Sequence, residues 1–389
     1  MLSVLSRARK SLGRAALAMA ALAVAACEPV AMTGGGPAVD RAQPVPVALL
    51  VPSGSGQASD EVLARSLQNA ARLAVADLGN VRIDLRIYNT AGQPAQAAAM
   101  ATQAVDDGAK IILGPVFAQE ANAAGVAVAP RGVSVLSFSN NTDIAGGNVF
   151  VLGPTFQNTA DRLSRHAVRQ GAGRIMVVHD RTAAGQTGRA AIERGVARAG
   201  GTLVATADYE FSQNGIVSAT PGIVDRARAS NAQALFLTAD TAGALPLVTQ
   251  LLRENGLPED TARFIGLTRW DIPSATLSLP GVQGGWFALP DPGVYGQYES
   301  RYRAAYGEAP HPISGLAYDG IAAVGALVKR GDDLGPRALT QGSGFVGVNG
   351  IFRLLSDGGN ERGLAVAQIR NNQVVVIDPA PRSFGGAGS

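Results

Sequence analysis

Asp107-Gly108-Ala109-Lys110-Ile111-Ile112-Leu113-Gly114-Pro115 decides how the chain folds. Ile111-Ile112-Leu113 is a continuous apolar run, and Gly114-Pro115 stops it. A short run of that kind between turn residues reads as a strand buried on both faces. Before it, residues 94–107 form an alanine-rich helix, and residues 81–88 alternate as a strand. Further back, Leu63, Leu67, Ala70, Ala74 and Leu78 recur at helical spacing. They follow an apolar strand at 45–51 that ends in Pro52-Ser53-Gly54-Ser55-Gly56. Beyond Pro115 come another helix and a strand at 133–138. Strands alternating with amphipathic helices imply right-handed βαβ units and a parallel sheet covered on both faces.

The pattern restarts after residues 150–152, which lead through Gly153-Pro154 into a helix at 158–170. Strands at 175–178, 203–209, 235–237, 264–266 and 284–287 then alternate with helices at 186–199, 221–229 and 242–255. Past Pro290-Asp291-Pro292 lie two helical stretches, 295–306 and 315–329. The tail changes character: 350–355 and 364–370 read as strands joined by the hairpin signal Asp357-Gly358-Gly359, with a last strand at 372–377. The expected fold class is α/β, two doubly wound parallel-sheet lobes joined by a multi-strand hinge. The expected division is lobe 1 at 45–152, lobe 2 at 153–289, helices returning to lobe 1 at 290–338, lobe 2 and hinge strands at 339–380, and a disordered tail at 381–389.

The N-terminal stretch sets the compartment. Arg7, Arg9, Lys10 and Arg14 make a basic head, followed by an apolar run at 15–26. About a dozen apolar residues are too few to cross a hydrocarbon core of about 30 Å, so residues 1–26 read as a signal peptide. Val24-Ala25-Ala26-Cys27 places small residues before the only cysteine and resembles the lipobox of bacterial lipoproteins. That resemblance implies cleavage before Cys27 and lipid attachment to its sulfur, hence a membrane anchor. Residues 27–44 are rich in Pro, Gly and Ala without an apolar period, as expected of a flexible tether. Glu28 differs from the aspartate associated with inner-membrane retention, so the expected place is the periplasm, on the outer membrane. A single thiol permits no disulfide within the chain, and stability must come from a large core.

Composition and motifs exclude several functions. The 33 Lys and Arg residues are nearly matched by 30 acids, for a net charge of +3. With no basic stripe or aromatic interleaving, nucleic acid is not an expected partner. His166, His179 and His311 show no metal-ligand spacing, and His166, within a helix, is expected to be exposed. Gly342-Ser343-Gly344-Phe345-Val346-Gly347 fits GxGxxG but precedes a β-hairpin, so no helix N-terminus awaits a pyrophosphate. No catalytic residue, metal or cofactor is expected, and the chain reads as a binding protein rather than an enzyme.

Several segments resemble one family in order and spacing. They are Ala70-Ala71-Arg72-Leu73-Ala74-Val75-Ala76, the opening stretch 107–115, Val135-Leu136-Ser137-Phe138-Ser139-Asn140, His179-Asp180-Arg181-Thr182-Ala183-Ala184-Gly185 and Ala317-Tyr318-Asp319-Gly320. Through them the mature chain resembles the type I periplasmic-binding proteins of the leucine/isoleucine/valine kind. A narrower set resembles the lipoproteins called penicillin-binding protein activators. It comprises residues 136–140, Gly284-Gly285-Trp286-Phe287-Ala288, Arg301-Tyr302-Arg303-Ala304-Ala305-Tyr306-Gly307, Gly350-Ile351-Phe352-Arg353-Leu354 and Glu361-Arg362-Gly363-Leu364-Ala365-Val366. The narrower resemblance implies a non-catalytic regulator that contacts a peptidoglycan synthase. It covers only the C-terminal part of those proteins, whose better-known members carry an additional helical-repeat domain. The broader one implies a lipoprotein that delivers branched-chain amino acids or a related small polar solute to an ABC permease.

In open α/β sheets ligands bind at the C-terminal ends of strands, and two lobes bring those ends together across a cleft that a hinge can close. The loops there supply the candidates Ser53, Ser55, Gln119, Ser139, Asn140, Asn141, Thr142, Asp180, Thr182, Thr238, Asp240, Thr268, Trp270 and Asp271, with Tyr318 from 317–320. A bound amino acid needs donors for its carboxylate and an acid for its ammonium. The resemblance implies hydroxylated residues in the first lobe, an acid in the second and aromatic walls. Ala118 stands where a hydroxyl is expected, Ala184 where an aromatic wall is, and Thr268 near the place of the ammonium-binding acid. Asn140 and Asn141 remain as donors, and Asp240 or Asp271 as substitute acids. The zwitterion site is therefore expected to be lost. Structural roles stand beside these: Asn140, Asn141 and Thr142 as turn formers, Asp180 and Asp319 as helix caps. Trp270 is either a surface anchor beside Arg269 or packed on Pro273.

Overall fold

β1 (Val45–Val51) sends Val47, Leu49 and Val51 into one hydrophobic cluster and Ala48 and Leu50 into another. That alternation is what a strand covered by helices on both faces requires. In the computed structural model, which describes residues 36–40 and 42–384, β1 lies at the heart of a five-stranded sheet. Its neighbours are β2 (Ile83–Asn89) on one side and β3 (Ile111–Leu113) on the other, then β4 (Ser134–Ser137) and β5 (Val149–Val151). Every pairing in it is parallel. The helices α1 (Ala58–Asp77), α2 (Pro94–Asp106) and α3 (Ala118–Val128) connect these strands, and α1 buries Leu63, Leu67, Ala70 and Ala74, the spacing read in the sequence. The signal peptide, Cys27, the tether up to residue 35, and residues 385–389 lie outside the described residues.

The second sheet runs β15-β14-β10-β9-β8-β6-β7. Its parallel part comprises β6 (Arg174–Asp180), β7 (Thr202–Tyr209), β8 (Ala234–Leu237), β9 (Arg263–Gly266) and β10 (Trp286–Leu289). The helices α4 (Phe156–Arg169), α5 (Ala183–Arg198), α6 (Gln213–Ala229) and α7 (Leu245–Glu254) belong to it. The sheet is mixed, not wholly parallel. β14 (Ala365–Arg370) and β15 (Gln373–Asp378) add to β10 as an antiparallel hairpin. Asn371 and Asn372 turn it with φ of 50° and 62°, the left-handed pair that a two-residue hairpin loop demands.

α6 begins eight residues before the helix expected at 221. Ser212 caps it, accepting a hydrogen bond from Gly215 N at 3.0 Å, and Pro221 lies inside the helix instead of opening it. Pro is at home in a first turn, which is why the residue reads as a start; here it forgoes one backbone bond in a helix whose Val217 is exposed.

After β10 the chain returns to the first sheet. α8 (Pro292–Tyr306) and α9 (Gly315–Arg330) bury Tyr298, Tyr302, Leu316, Ile321 and Val324 with Val47, Leu49 and Ile111. Three short antiparallel strands follow, β11 (Phe345–Gly347), β12 (Gly350–Leu354) and β13 (Asn360–Arg362), and Phe345, Phe352 and Leu354 join that same cluster. Asp357-Gly358-Gly359 therefore joins β12 to β13 and not to the strand at 364–370. Asn360 holds β13 there: its Nδ2 donates to Val151 O at 2.7 Å and to Gly153 O at 2.8 Å, on the segment leaving β5. The chain thus passes between the sheets near residues 152–155, 290–291 and 363–364.

His166 is buried, not exposed. It is only 2% accessible, its Nδ1 stands 3.0 Å from Asp378 Oδ2, and its ring meets Trp286 edge-on at 4.8 Å. No helix among the described residues is long and apolar enough to cross a membrane.

Candidate ligand-binding site

A cavity of about 320 Å³ lies where the carboxyl ends of strands from both sheets meet the crossing segments. Asn140, past β4, comes from the first sheet, and Pro312, Ile313 and Leu316, at the start of α9, pack on it. The second sheet supplies Leu267, Thr268, Arg269 and Ile272 past β9, Ala288 to Pro290 at the end of β10, and Pro154, Thr155, Phe156 and Thr159 at the start of α4. Asn349, Arg362 and Leu364 close it from the β11–β13 side. Its volume falls within the range of small-molecule sites, which are mostly apolar with a few placed polar groups.

The local sequence explains why these groups sit so firmly. Thr155 caps α4 in a capping box: its hydroxyl accepts from Asn158 N at 3.2 Å, and Asn158 Oδ1 accepts from Thr155 N at 2.9 Å. Asn158 Nδ2 also donates to Asn360 O at 2.9 Å, tying the helix start to β13. Beneath the cavity, Asp319 of α9 accepts from Val348 N (2.8 Å), Asn349 Nδ2 (3.0 Å) and Arg362 Nη1 (3.0 Å). Arg362 Nε donates to Leu152 O at 2.9 Å. Gly347 is required beside them, since a Cβ would overlap Asp319 Oδ1. Asp319 is thus a strut inside α9, not a helix cap.

Arg269 is held differently. Its Nε donates to Asp271 Oδ1 at 2.9 Å and its Nη2 to Asp271 Oδ2, while Nη1 has no hydrogen-bond partner among the described residues. Arg269 and Arg362 line the cavity; Asp271 and Asp319, their partners, do not. Thr268 Oγ1 is shielded from solvent and has no hydrogen-bond partner among the described residues.

Of the residues named from the sequence, only Asn140 and Thr268 line this cavity, from opposite lobes. Ser53 Oγ donates to Glu61 Oε2 at 2.7 Å, and Gly54 N to Glu61 Oε1 at 2.6 Å; these bonds, Gly54 first, hold the Glu61 carboxyl below its ordinary range. Ser55 Oγ accepts from Gln57 N at 3.1 Å, and Gln119 is exposed. Ser139 Oγ accepts from Asn141 N at 3.1 Å, Asn141 Oδ1 accepts from Asp143 N at 2.9 Å, and Thr142 is exposed. These are turn-forming roles. Asp180 Oδ1 accepts from Thr182 N at 2.9 Å, and Thr182 caps α5 through Gly185 N at 3.1 Å. Thr238 is buried and its hydroxyl has no partner among the described residues, and Asp240 is exposed. Tyr318 donates to Asp77 Oδ2 at 2.6 Å, away from the cavity.

Trp270 takes the packed alternative, not the surface one. It is fully buried, with its indole lying over Gly266 and Gly285, where any Cβ would collide with the ring. It is a core residue and not a surface anchor. Arg269, Asn349, Phe156 and Arg362 were not among the named site residues. The signal available for Arg362 was a charged residue two positions before the apolar run 364–367.

With this architecture in place, comparison with known proteins assigns the chain to a family. It belongs to the periplasmic binding protein family, whose profile matches residues 44–373. Among solved structures it is similar to a putative branched-chain amino acid ABC transporter protein from Rhodospirillum rubrum, at 20% identity and TM-score 0.72, over 86% of this chain and 100% of that one. It is similar to a branched-chain amino acid ABC transporter ligand-binding protein from Burkholderia xenovorans, at 19% identity and TM-score 0.66, over 88% and 95%. A third is an ABC transporter solute-binding protein from Rhodopseudomonas palustris, solved with 3,4-dihydroxybenzoic acid, at 18% identity and TM-score 0.58, over 87% and 97%. Likeness at these identities is likeness of fold. Comparison with curated proteins gives no match.

Proposed function

We propose that this protein is the solute-binding component of an ABC transporter, a non-catalytic periplasmic lipoprotein anchored through Cys27 that hands a small molecule to a permease. The observation that carries the reading is the cavity itself, walled by both sheets and by the crossing strands, so that one bound molecule would touch both lobes. A hinge between lobes converts such contact into closure, the form that a permease distinguishes. The structural neighbours include proteins named for branched-chain amino acids and one holding a dihydroxybenzoic acid, so this fold accommodates solutes with and without an ammonium group. The alternative of a regulator bound to a peptidoglycan synthase rests on the segments quoted from the sequence, and the cavity gives it no added support.

The test is native mass spectrometry of the protein after incubation with a bacterial small-molecule extract, repeated on Thr268→Trp, which fills the cavity. A solute retained by the wild type and lost by the variant is expected. No retained solute, together with direct binding to a purified peptidoglycan synthase, would overturn the reading in favour of the regulator.

A further inference from the structure

We infer that the ligand is a small carboxylate with an apolar body and no ammonium group; this rests on the solute-binding reading. The charges of the cavity wall decide it. Arg269 and Arg362 line the cavity, while the acids that pair with them stand outside its lining, and among the described residues no Asp, Glu or His side chain belongs to it. An ammonium carries three donors and no acceptor, and would lie beside two guanidinium groups without a carboxylate to receive it. A carboxylate meets the opposite conditions. Asp271 takes the Nε and Nη2 side of Arg269, leaving Nη1 without a partner. Thr268, the preceding residue, carries a buried hydroxyl with no partner. Arg269 Nη1 offers a charge-assisted donor at this strand end, suited to a carboxylate, and a χ1 turn of Thr268 would bring its now-shielded hydroxyl to the same group. Arg362 is already committed to Leu152 O and Asp319 and serves as the floor. Phe156, Leu289, Ile313 and Leu316 leave the rest of the space to hydrocarbon.

The experiment is isothermal titration of the mature protein with matched series. 4-Methylpentanoate and phenylpropanoate are compared with leucine and phenylalanine, which add only the ammonium, and with 3-methylbutylamine and 2-phenylethylamine, which lack the carboxylate. At least one acid is expected to bind ten times or more tightly than its amino-acid counterpart, with the amines silent. Arg269→Gln should weaken that binding about tenfold. Thr268→Val should weaken it several-fold while leaving the melting temperature of the unliganded protein unchanged or higher, because its hydroxyl has no partner to lose. An amino acid or amine binding as tightly as the matching acid would overturn the inference, and so would silence from both acids. If an amino acid binds and Thr268→Trp abolishes it, solute binding stands and only the ligand class falls. If neither the series nor the extract supplies a ligand and the protein binds a purified peptidoglycan synthase, the solute-binding reading falls with it.

Discussion

Arg362 Nη1 donates to Asp319 Oδ2 at 3.0 Å, and the two side chains are 2% and 0% exposed. The pair joins β13 to α9 beneath the cavity, with Asn349 and Val348 completing the shell around the carboxylate. A buried ion pair contributes little net stability over an apolar pair, but removing one partner strands the other charge in a low dielectric. Asp319→Ala should therefore destabilise the protein by roughly 3–5 kcal/mol. The double replacement Asp319→Leu with Arg362→Met should cost less than the single one. Urea midpoints of the single and double variants check this; equal losses from both would show that the pair is not coupled.

Trp270 rests on two glycines, and each is needed because of the indole. Trp270→Ala should cost about 3–5 kcal/mol, the range for deleting a fully buried large side chain. Gly285→Ala places a methyl against the ring and should also destabilise. The closest part of the collision is with the indole, and only Val282 O at 2.9 Å remains without it, so the combined variant should lose less than the sum of the two. Thermal melts of the three proteins give the coupling, and strict additivity would contradict the packing described.

Much of this fold was legible because both sheets rely on runs whose pattern fits one structure only. Ile111-Ile112-Leu113 between Gly108 and Gly114 has no other good home, and the helical spacing of Leu63, Leu67, Ala70 and Ala74 survives intact. Local signals failed where distant partners decide. Asp357-Gly358-Gly359 marks a turn, but which strands it joins depends on Asn360 bonding to Val151 and Gly153, more than two hundred residues earlier. Of the loops at strand ends, those past β4 and β9 line the cavity, yet most polar residues in such loops satisfy their own turns and caps, as Asn141 and Thr182 do. Short polar side chains near free backbone N–H groups engage those first. Arg269 and Arg362 reach the cavity from segments whose meeting no sequence spacing encodes.

Acid should act on the cluster around Asp378. Burial raises this carboxyl, but the bonds from Arg162 (2.8 Å) and His166 outweigh burial and bring it down to about 2, against an ordinary value of 3.8. A depressed acid stabilises the folded state above the unfolded value and loses that contribution as pH falls from about 3.8 to about 2, in all on the order of 2 kcal/mol. His166 is pushed below its ordinary 6.5 by burial, with Asp378 opposing. It binds a proton less readily when folded than when unfolded, so stability should already decline as pH drops below about 6.5. His166→Asn should remove the earlier decline and Asp378→Asn the later one. Urea midpoints between pH 8 and pH 2.5 separate the two steps, and a wild-type profile flat from pH 7 to 5 relative to His166→Asn would refute the first.

Glu120 gives a dependence of the opposite sign. It lies in the first turn of α3, is 1% exposed, and neither carboxyl oxygen meets a hydrogen-bond donor in good geometry. Burial pushes its proton affinity up; nearby Thr90, whose hydroxyl donates to Val51 O at 3.1 Å, and Phe117 N–H offset this only in part. A raised acid favours folding while protonated, and that contribution disappears as pH climbs from the unfolded value through the folded one, at up to about 1.4 kcal/mol per pH unit. Glu120→Gln keeps the shape without the charge. Its stability relative to wild type should therefore rise as pH climbs above 4.5. Paired denaturation curves above that pH decide the matter: a constant difference would mean that Glu120 ionises at no cost, which its burial without a donor contradicts.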